Sequence, residues 1–221
     1  MMPFLGGIEN ISNGTLIFSA LLALFYLFMV ERPPSHRRTM LKAGSVLLLA
    51  ALAVMEGGPI LLIAALILSA IGDAFLAYNG DRAFMGGLVA FLLGHLAYVA
   101  LFLLGGGGID AIAGWRITLA ALMVLAVAGS IAVLWRGVPG AMRLPVLVYS
   151  LAILAMGIAS LTVPNPVVTL GAILFMASDS LLAVGRFRGD LAEGRGWVPF
   201  AVWALYYLGQ ALITLGVLAI A

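Results

Sequence analysis

The chain has 221 residues, 64% of them hydrophobic and 9% charged, with a mean hydropathy of +1.21 and a formal net charge of +2. Such values lie far outside what a soluble core of this size requires and mark a polytopic membrane protein. The lack of cysteine excludes a disulfide framework and a thiolate metal site, and so small a charge gives no argument for a nucleic-acid partner.

In chain order, eight apolar stretches approach the roughly 20 residues that a membrane helix needs. They are Thr15 to Val30, Thr39 to Met55, Pro59 to Ala77, Phe84 to Leu104, Ile117 to Trp135, Leu144 to Leu161, Val167 to Val184 and Val198 to Ala221. Helices are expected throughout, because the bilayer offers no water to backbone groups and the runs lack the alternation of barrel strands. The fold class is therefore all-α, one membrane-embedded domain over residues 1 to 221.

The basic residues give an independent check on the count. Arg32, Arg37, Arg38 and Lys42 follow the first span, Arg82 the third, Arg136 and Arg143 the fifth, and Arg186, Arg188 and Arg195 the seventh. Every Lys and Arg except Arg116 thus falls on one side, which the positive-inside rule makes cytoplasmic. Both termini are expected outside the cytoplasm. Residues Met1 to Gly14 carry no basic region, so the first span reads as a membrane helix rather than a cleaved leader. Helical spans exclude an outer-membrane barrel and favour the bacterial inner membrane.

Two spans carry an acid in similar surroundings: Ile67-Leu68-Ser69-Ala70-Ile71-Gly72-Asp73 and Ile173-Leu174-Phe175-Met176-Ala177-Ser178-Asp179. A carboxylate costs roughly 2.5–3.5 kcal/mol to insert at a helix centre, so Asp73 and Asp179 are functional candidates by default. Leu76-Ala77 and Leu182-Ala183 follow at equal distances, and the next helices carry Leu93-Gly94-His95 and Leu208-Gly209-Gln210. Four helices separate the copies, consistent with a parallel 4+4 repeat.

Topology puts both acids about one turn from the cytoplasmic boundary, with Tyr149, Tyr207, His95 and Gln210 deeper in the inner half and Lys42 at its rim. No comparable set is expected in the outer half, so a cavity open to the cytoplasm or inner leaflet is expected. Simpler readings exist for several residues. Tyr98, Tyr149, Tyr206 and Tyr207 could be packing aromatics, Lys42 a snorkelling anchor, and Arg37 and Arg38 topology determinants. Asp81, Asp190 and Glu193 read as solvated loop charges, and Gly105 to Gly108 as an outer loop.

The segments Ser69-Ala70-Ile71-Gly72-Asp73-Ala74-Phe75-Leu76, Gly87 to Tyr98 with its Gly94-His95, Gly171 to Leu182 with its Ser178-Asp179-Ser180, and Tyr207-Leu208-Gly209-Gln210 together resemble the YhhN family, which includes the animal lysoplasmalogenases. The resemblance runs from Lys42 to Gln210. It implies an eight-helix membrane hydrolase that cleaves the vinyl ether bond of lysoplasmalogens to a fatty aldehyde and glycerophospho-ethanolamine or glycerophospho-choline. The partners are then a lysophospholipid substrate and membrane lipid; no protein partner and no cofactor is implied.

That chemistry needs one protonated acid and one carboxylate. Two carboxylates close together in a low dielectric tend to share a proton. The serines flanking Asp179 make it the expected base, with Asp73 the expected acid. Lys42 is expected to hold the phosphate, and His95, Tyr149, Ser178, Tyr207 and Gln210 to position substrate or water. A metal-dependent hydrolase using His95, Asp73 and Asp179 fits less well, since the other histidine, His36, is in a loop, and the sites are read as holding no metal. A serine hydrolase lacks its G-x-S-x-G elbow. A small transporter is the alternative of a different class, favoured by repeated halves but not by the uninterrupted third and seventh spans.

Overall fold

The computed structural model describes residues 3–5, 7, 10–189 and 196–220. Within them the chain is helical, with no strand. In order, the helices are α1 (Ile11–Leu27), α2 (His36–Met55), α3 (Ile60–Leu76), α4 (Asp81–Gly105), α5 (Trp115–Leu134), α6 (Gly140–Ser160), α7 (Pro166–Phe187) and α8 (Val198–Leu218), with a 3-10 turn at Ile109–Ala111 before α5. Six have the length and apolarity to cross a membrane, while α1 and α3 have 17 residues each, about 25 Å, at the lower limit. Asp190, Glu193, Arg195 and the outer ends of the chain at Met1 and Ala221 lie outside the described residues.

Several helices begin earlier than the apolar runs, for reasons of capping. The Asn10 side chain accepts from Ser12 N at 2.7 Å and starts α1 at Ile11; the Ser35 hydroxyl accepts from Arg38 N at 3.3 Å and starts α2 at His36. Polar first turns are therefore helical although they lie outside the apolar runs. Asn165 caps α7, with Pro166 in the first turn where no amide donor is needed. Gly80, at φ 106°, makes the tight turn between α3 and α4 that only glycine accepts readily.

The helices pack as two linked groups. Within the first, α1 lies on α2, α2 on α3 and α3 closely along α4; within the second, α5 lies on α6, α6 on α7 and α7 closely along α8. The groups join through α4 against α6 and α2 against α8. The outward faces, with Leu24, Phe25, Leu122 and Leu125, are apolar and exposed, as a lipid-facing surface must be.

Small residues set the two closest pairings. A Cβ on Gly94 of α4 would lie 3.3 Å from Ser69 Oγ and 3.4 Å from Ala65 O of α3; one on Gly209 of α8 would lie 2.8 Å from Gly171 O and 3.0 Å from Phe175 N of α7. Aligned on Asp73 and Asp179, Ala65 and Ser69 correspond to Gly171 and Phe175. The same contact therefore occurs at the same position in both groups, with backbones close enough that any side chain would intrude.

The half of the bundle away from the acids does hold buried polar groups, contrary to expectation: Ser160, Thr162, Thr169 and Thr214 are buried. Their hydroxyls donate to the carbonyls of Gly157, of Phe102 and Ala159, of Ser160 and of Gln210 at 2.6–3.0 Å. Thr162 and Thr169 thereby link neighbouring helices, Ser160 and Thr214 bond within their own, and none of the four lines the cavity that holds the acids.

Gly171→Leu is expected to push against the Gly209 carbonyl and lower stability by about 1–3 kcal/mol, the usual cost of overpacking. Gly129→Ala, which meets open space, should leave stability unchanged or slightly raised. Thermal unfolding of the purified variants in one detergent checks both.

Candidate active site

Asp73 lies on the last turn of α3 and Asp179 two turns from the end of α7, and both line one cavity of about 490 Å³. Leucines and aromatics form much of its wall, and Arg38, Lys42 and Arg186 are its cations.

Asp73 is 1% exposed and has two partners. The Lys42 ammonium stands 3.3 Å from Oδ1, and the Tyr206 hydroxyl donates to Oδ2 at 2.6 Å. Gly72 leaves room for the Phe91 ring, which would lie 2.6 Å from a Cβ there. The small residue before Asp73 thus seats an aromatic ring beside the acid. Asp179, with its side chain 12% exposed, accepts from the Tyr149 hydroxyl at Oδ2. His95 Nε2 lies 3.9 Å from the same oxygen, too far for a hydrogen bond. His95 Nε2 is buried, so the ring faces Asp179 without being tied to it. Its plane is set by edge contacts with Tyr149 at 5.2 Å and Phe175 at 4.8 Å.

The structure brings Asp73, Asp179, Lys42, His95 and Tyr149 together and sorts the other candidates differently. Tyr207 points away: its hydroxyl lies 2.8 Å from Ser19 Oγ, which itself donates to Ser45 O, so it ties α8 to α1 and α2. Tyr206, one residue earlier and about 100° around the helix, is the tyrosine that reaches an acid. Gln210 is fully buried behind the cavity and accepts from Tyr98 through Oε1, while its Nε2 is unpartnered. Ser178 lines the cavity, but its hydroxyl donates to Val202 O at 2.8 Å, and Ser180 donates to Met176 O at 2.9 Å. Neither serine serves Asp179, because a neighbour in a helix points some 100° away and finds a backbone carbonyl first. Lys42 is committed to Asp73 as well as to the cavity.

Three residues of the rim were read from sequence only as topology markers or loop charges. Arg38 donates to Ala77 O at 3.0 Å and Val30 O at 3.3 Å, closing the C-terminal ends of α3 and α1, while its buried Nε is unpartnered. Arg186 pairs with Asp81 and lies 5.0 Å over the Phe84 ring. The repeat could have exposed Tyr206: aligned on Gly94 and Gly209, it matches Phe91, the ring packed beside Asp73. Among the described residues, no three His, Cys, Asp or Glu side chains converge as a metal set would.

A bundle of apolar helices that holds two carboxylates against protein partners in one cavity belongs to the class of integral membrane proteins with buried intramembrane acids. Residues 37–217 match the YhhN family, and the chain belongs to it. It is 35% identical over 182 residues to a lysoplasmalogenase of Mycobacterium bovis, covering 79% of this chain and 68% of that protein, and equally similar to one of Mycobacterium tuberculosis. It is 32% identical over 201 residues to the human lysoplasmalogenase TMEM86B, covering 88% of this chain and 81% of the relative. No solved structure matches it.

Lys42→Met should destabilise the protein by about 3 kcal/mol, because it leaves a buried carboxylate unpaired. Adding Asp73→Asn should recover most of that loss, since a neutral amide needs no counter-charge. Melting temperatures of the two single variants and the double variant complete the cycle; a double variant no more stable than Lys42→Met would contradict the pairing.

Proposed function

We propose that this protein is a lysoplasmalogenase: an integral membrane hydrolase that cleaves the vinyl ether bond of a lysophospholipid to a fatty aldehyde and glycerophospho-ethanolamine or glycerophospho-choline. The observation that carries the site is the unequal partnering of two carboxylates in one cavity. Asp73 has a cation at 3.3 Å, which favours its charged form, whereas Asp179 has a phenol and an imidazole that faces it without bonding. This supports Asp179 as the acid and Asp73 as the base, the reverse of the roles expected from the flanking serines.

In the first step Asp179 gives its proton to the alkenyl carbon remote from oxygen. The π electrons form the new C–H bond, and the ether oxygen shares the positive charge left on the adjacent carbon. Water, deprotonated by Asp73, adds to that carbon and gives a hemiacetal. Its hydroxyl proton passes to the Asp179 carboxylate and restores the acid, while the C–O bond to glycerol breaks and Asp73 gives its proton to the leaving oxygen, releasing aldehyde and glycerol hydroxyl with both carboxyl groups back in their starting states. Lys42 and Tyr206 hold Asp73 in place, and Tyr149 holds Asp179. His95 approaches Asp179 as the hemiacetal collapses, and Arg38 and Arg186 at the rim face the phosphate.

The single membrane-embedded domain is oriented by its charges, with Lys and Arg residues gathered at the end that carries the acids. The termini accordingly face away from the cytoplasm, the cavity opens to the cytoplasmic half, and the protein resides in a bacterial inner membrane. A transporter would need paths to both faces, and the outer-half hydroxyls are consumed in backbone bonds.

Aldehyde release from lysoplasmenyl-ethanolamine by the purified protein in detergent tests this reading. Wild type should release aldehyde with EDTA present. Asp73→Asn and Asp179→Asn should each lower kcat by about 10²–10⁴ while remaining folded, and Tyr206→Phe should lose more than Tyr207→Phe. No aldehyde from wild type, or full activity in either Asn variant, would sink the assignment.

A further inference from the structure

A second, narrow cavity lies between α4, α5, α6 and α7, with a volume of about 60 Å³ against about 490 Å³ for the polar one. The two share walls at Leu76, Phe84, Phe91, Leu182 and Asp179, so Asp179 stands where they meet while Asp73 lines the polar cavity alone. Apart from Asp179, Tyr149 and Ser130 the slot is apolar: Ser150 and Ser180 on its wall turn their hydroxyls back onto the carbonyls of Val146 and Met176, at 2.8 and 2.9 Å. From the level of Asp179 it continues about one turn deeper, to Val127, Ile153 and Met176.

We infer that this slot takes the alkenyl chain of the lysolipid, and that Val127, Ile153 and Met176 at its floor set which chains are accepted; the inference rests on the reaction proposed above. A vinyl ether joins a charged headgroup to a hydrocarbon chain, so the bond to be protonated must sit where a polar space meets an apolar one. That junction is at Asp179. The slot has no cation to meet a phosphate, whereas the larger cavity has three. The floor can also yield. Met176 and Met123 fill the space left by the missing side chain of Gly157, and thioether chains re-pack readily. Helices α4 and α5 barely touch, so the slot can widen between them.

The test compares two vinyl ether substrates with one headgroup, one long-chained and one whose chain ends after a few carbons. Val127→Trp and Ile153→Trp, checked for intact folding by thermal unfolding, should lower kcat/KM for the long chain by about tenfold or more relative to the short one, the scale on which an apolar pocket discriminates. Equal loss on both substrates, or no loss, would overturn the inference. Photolabelling wild type with a lysophosphatidylethanolamine bearing a diazirine in the chain next to the glycerol needs no turnover. Adducts on the slot residues of α5, α6 and α7 support the slot even if no vinyl ether is cleaved, which separates its failure from that of the reaction. Adducts confined to outward residues such as Leu125 and Leu151 would refute it.

Discussion

Holding two carboxylates inside an apolar bundle is the constraint on which the rest of this structure depends. Each would be expelled or neutralised if left without partners, so the helices give each acid a partner from its own group and set a side chain of the other group against it, bonded at Asp73 and only facing it at Asp179. Asp73 on α3 has Lys42 from α2 and Tyr206 from α8; Asp179 on α7 has Tyr149 from α6 and His95 from α4. The contacts that satisfy the acids are also contacts that hold the two groups of helices against each other. Chemistry and assembly therefore draw on the same few side chains.

The two groups repeat one plan and differ where function would require it. Gly94 and Gly209 make the same close approach, and Lys42 and Tyr149 each reach an acid from the helix before it. The two groups nevertheless use different residue types: a cation against a phenol, and at aligned positions His95 against Gln210 and Phe91 against Tyr206. A symmetric site would give two carboxylates of equal proton affinity. Replacing a cation by a phenol at one of them breaks that equality, and an acid–base reaction needs one donor and one acceptor at the same moment.

Helix number and the meeting of both acids at one cavity were legible in the sequence because each rests on a large energy. Long apolar runs and segregated basic residues follow from the cost of placing polar groups in lipid. Helix starts at Ile11 and His36 were not legible, since caps add polar residues that no apolar run includes. The choice between Tyr206 and Tyr207 depends on the rotation of α8, which packing of Gly209 on Gly171 fixes and hydropathy does not encode. Ser178 and Ser180 misled because adjacency in sequence is not adjacency on a helix: both hydroxyls found backbone carbonyls before they could reach Asp179.

The position of the site in the bundle follows from what the reaction must combine. Water and a charged headgroup can reach the acids only from the basic end, where Arg38, Lys42 and Arg186 border the larger cavity. On the proposed reaction the hydrocarbon chain belongs out of water, in the apolar slot beside α5 and α6. An acid deeper in the membrane would be cut off from water, and one on the surface would have no apolar wall to hold the chain and no reason to keep its proton. Asp179, about two turns inside the end of α7 and at the edge of both spaces, satisfies the two demands together.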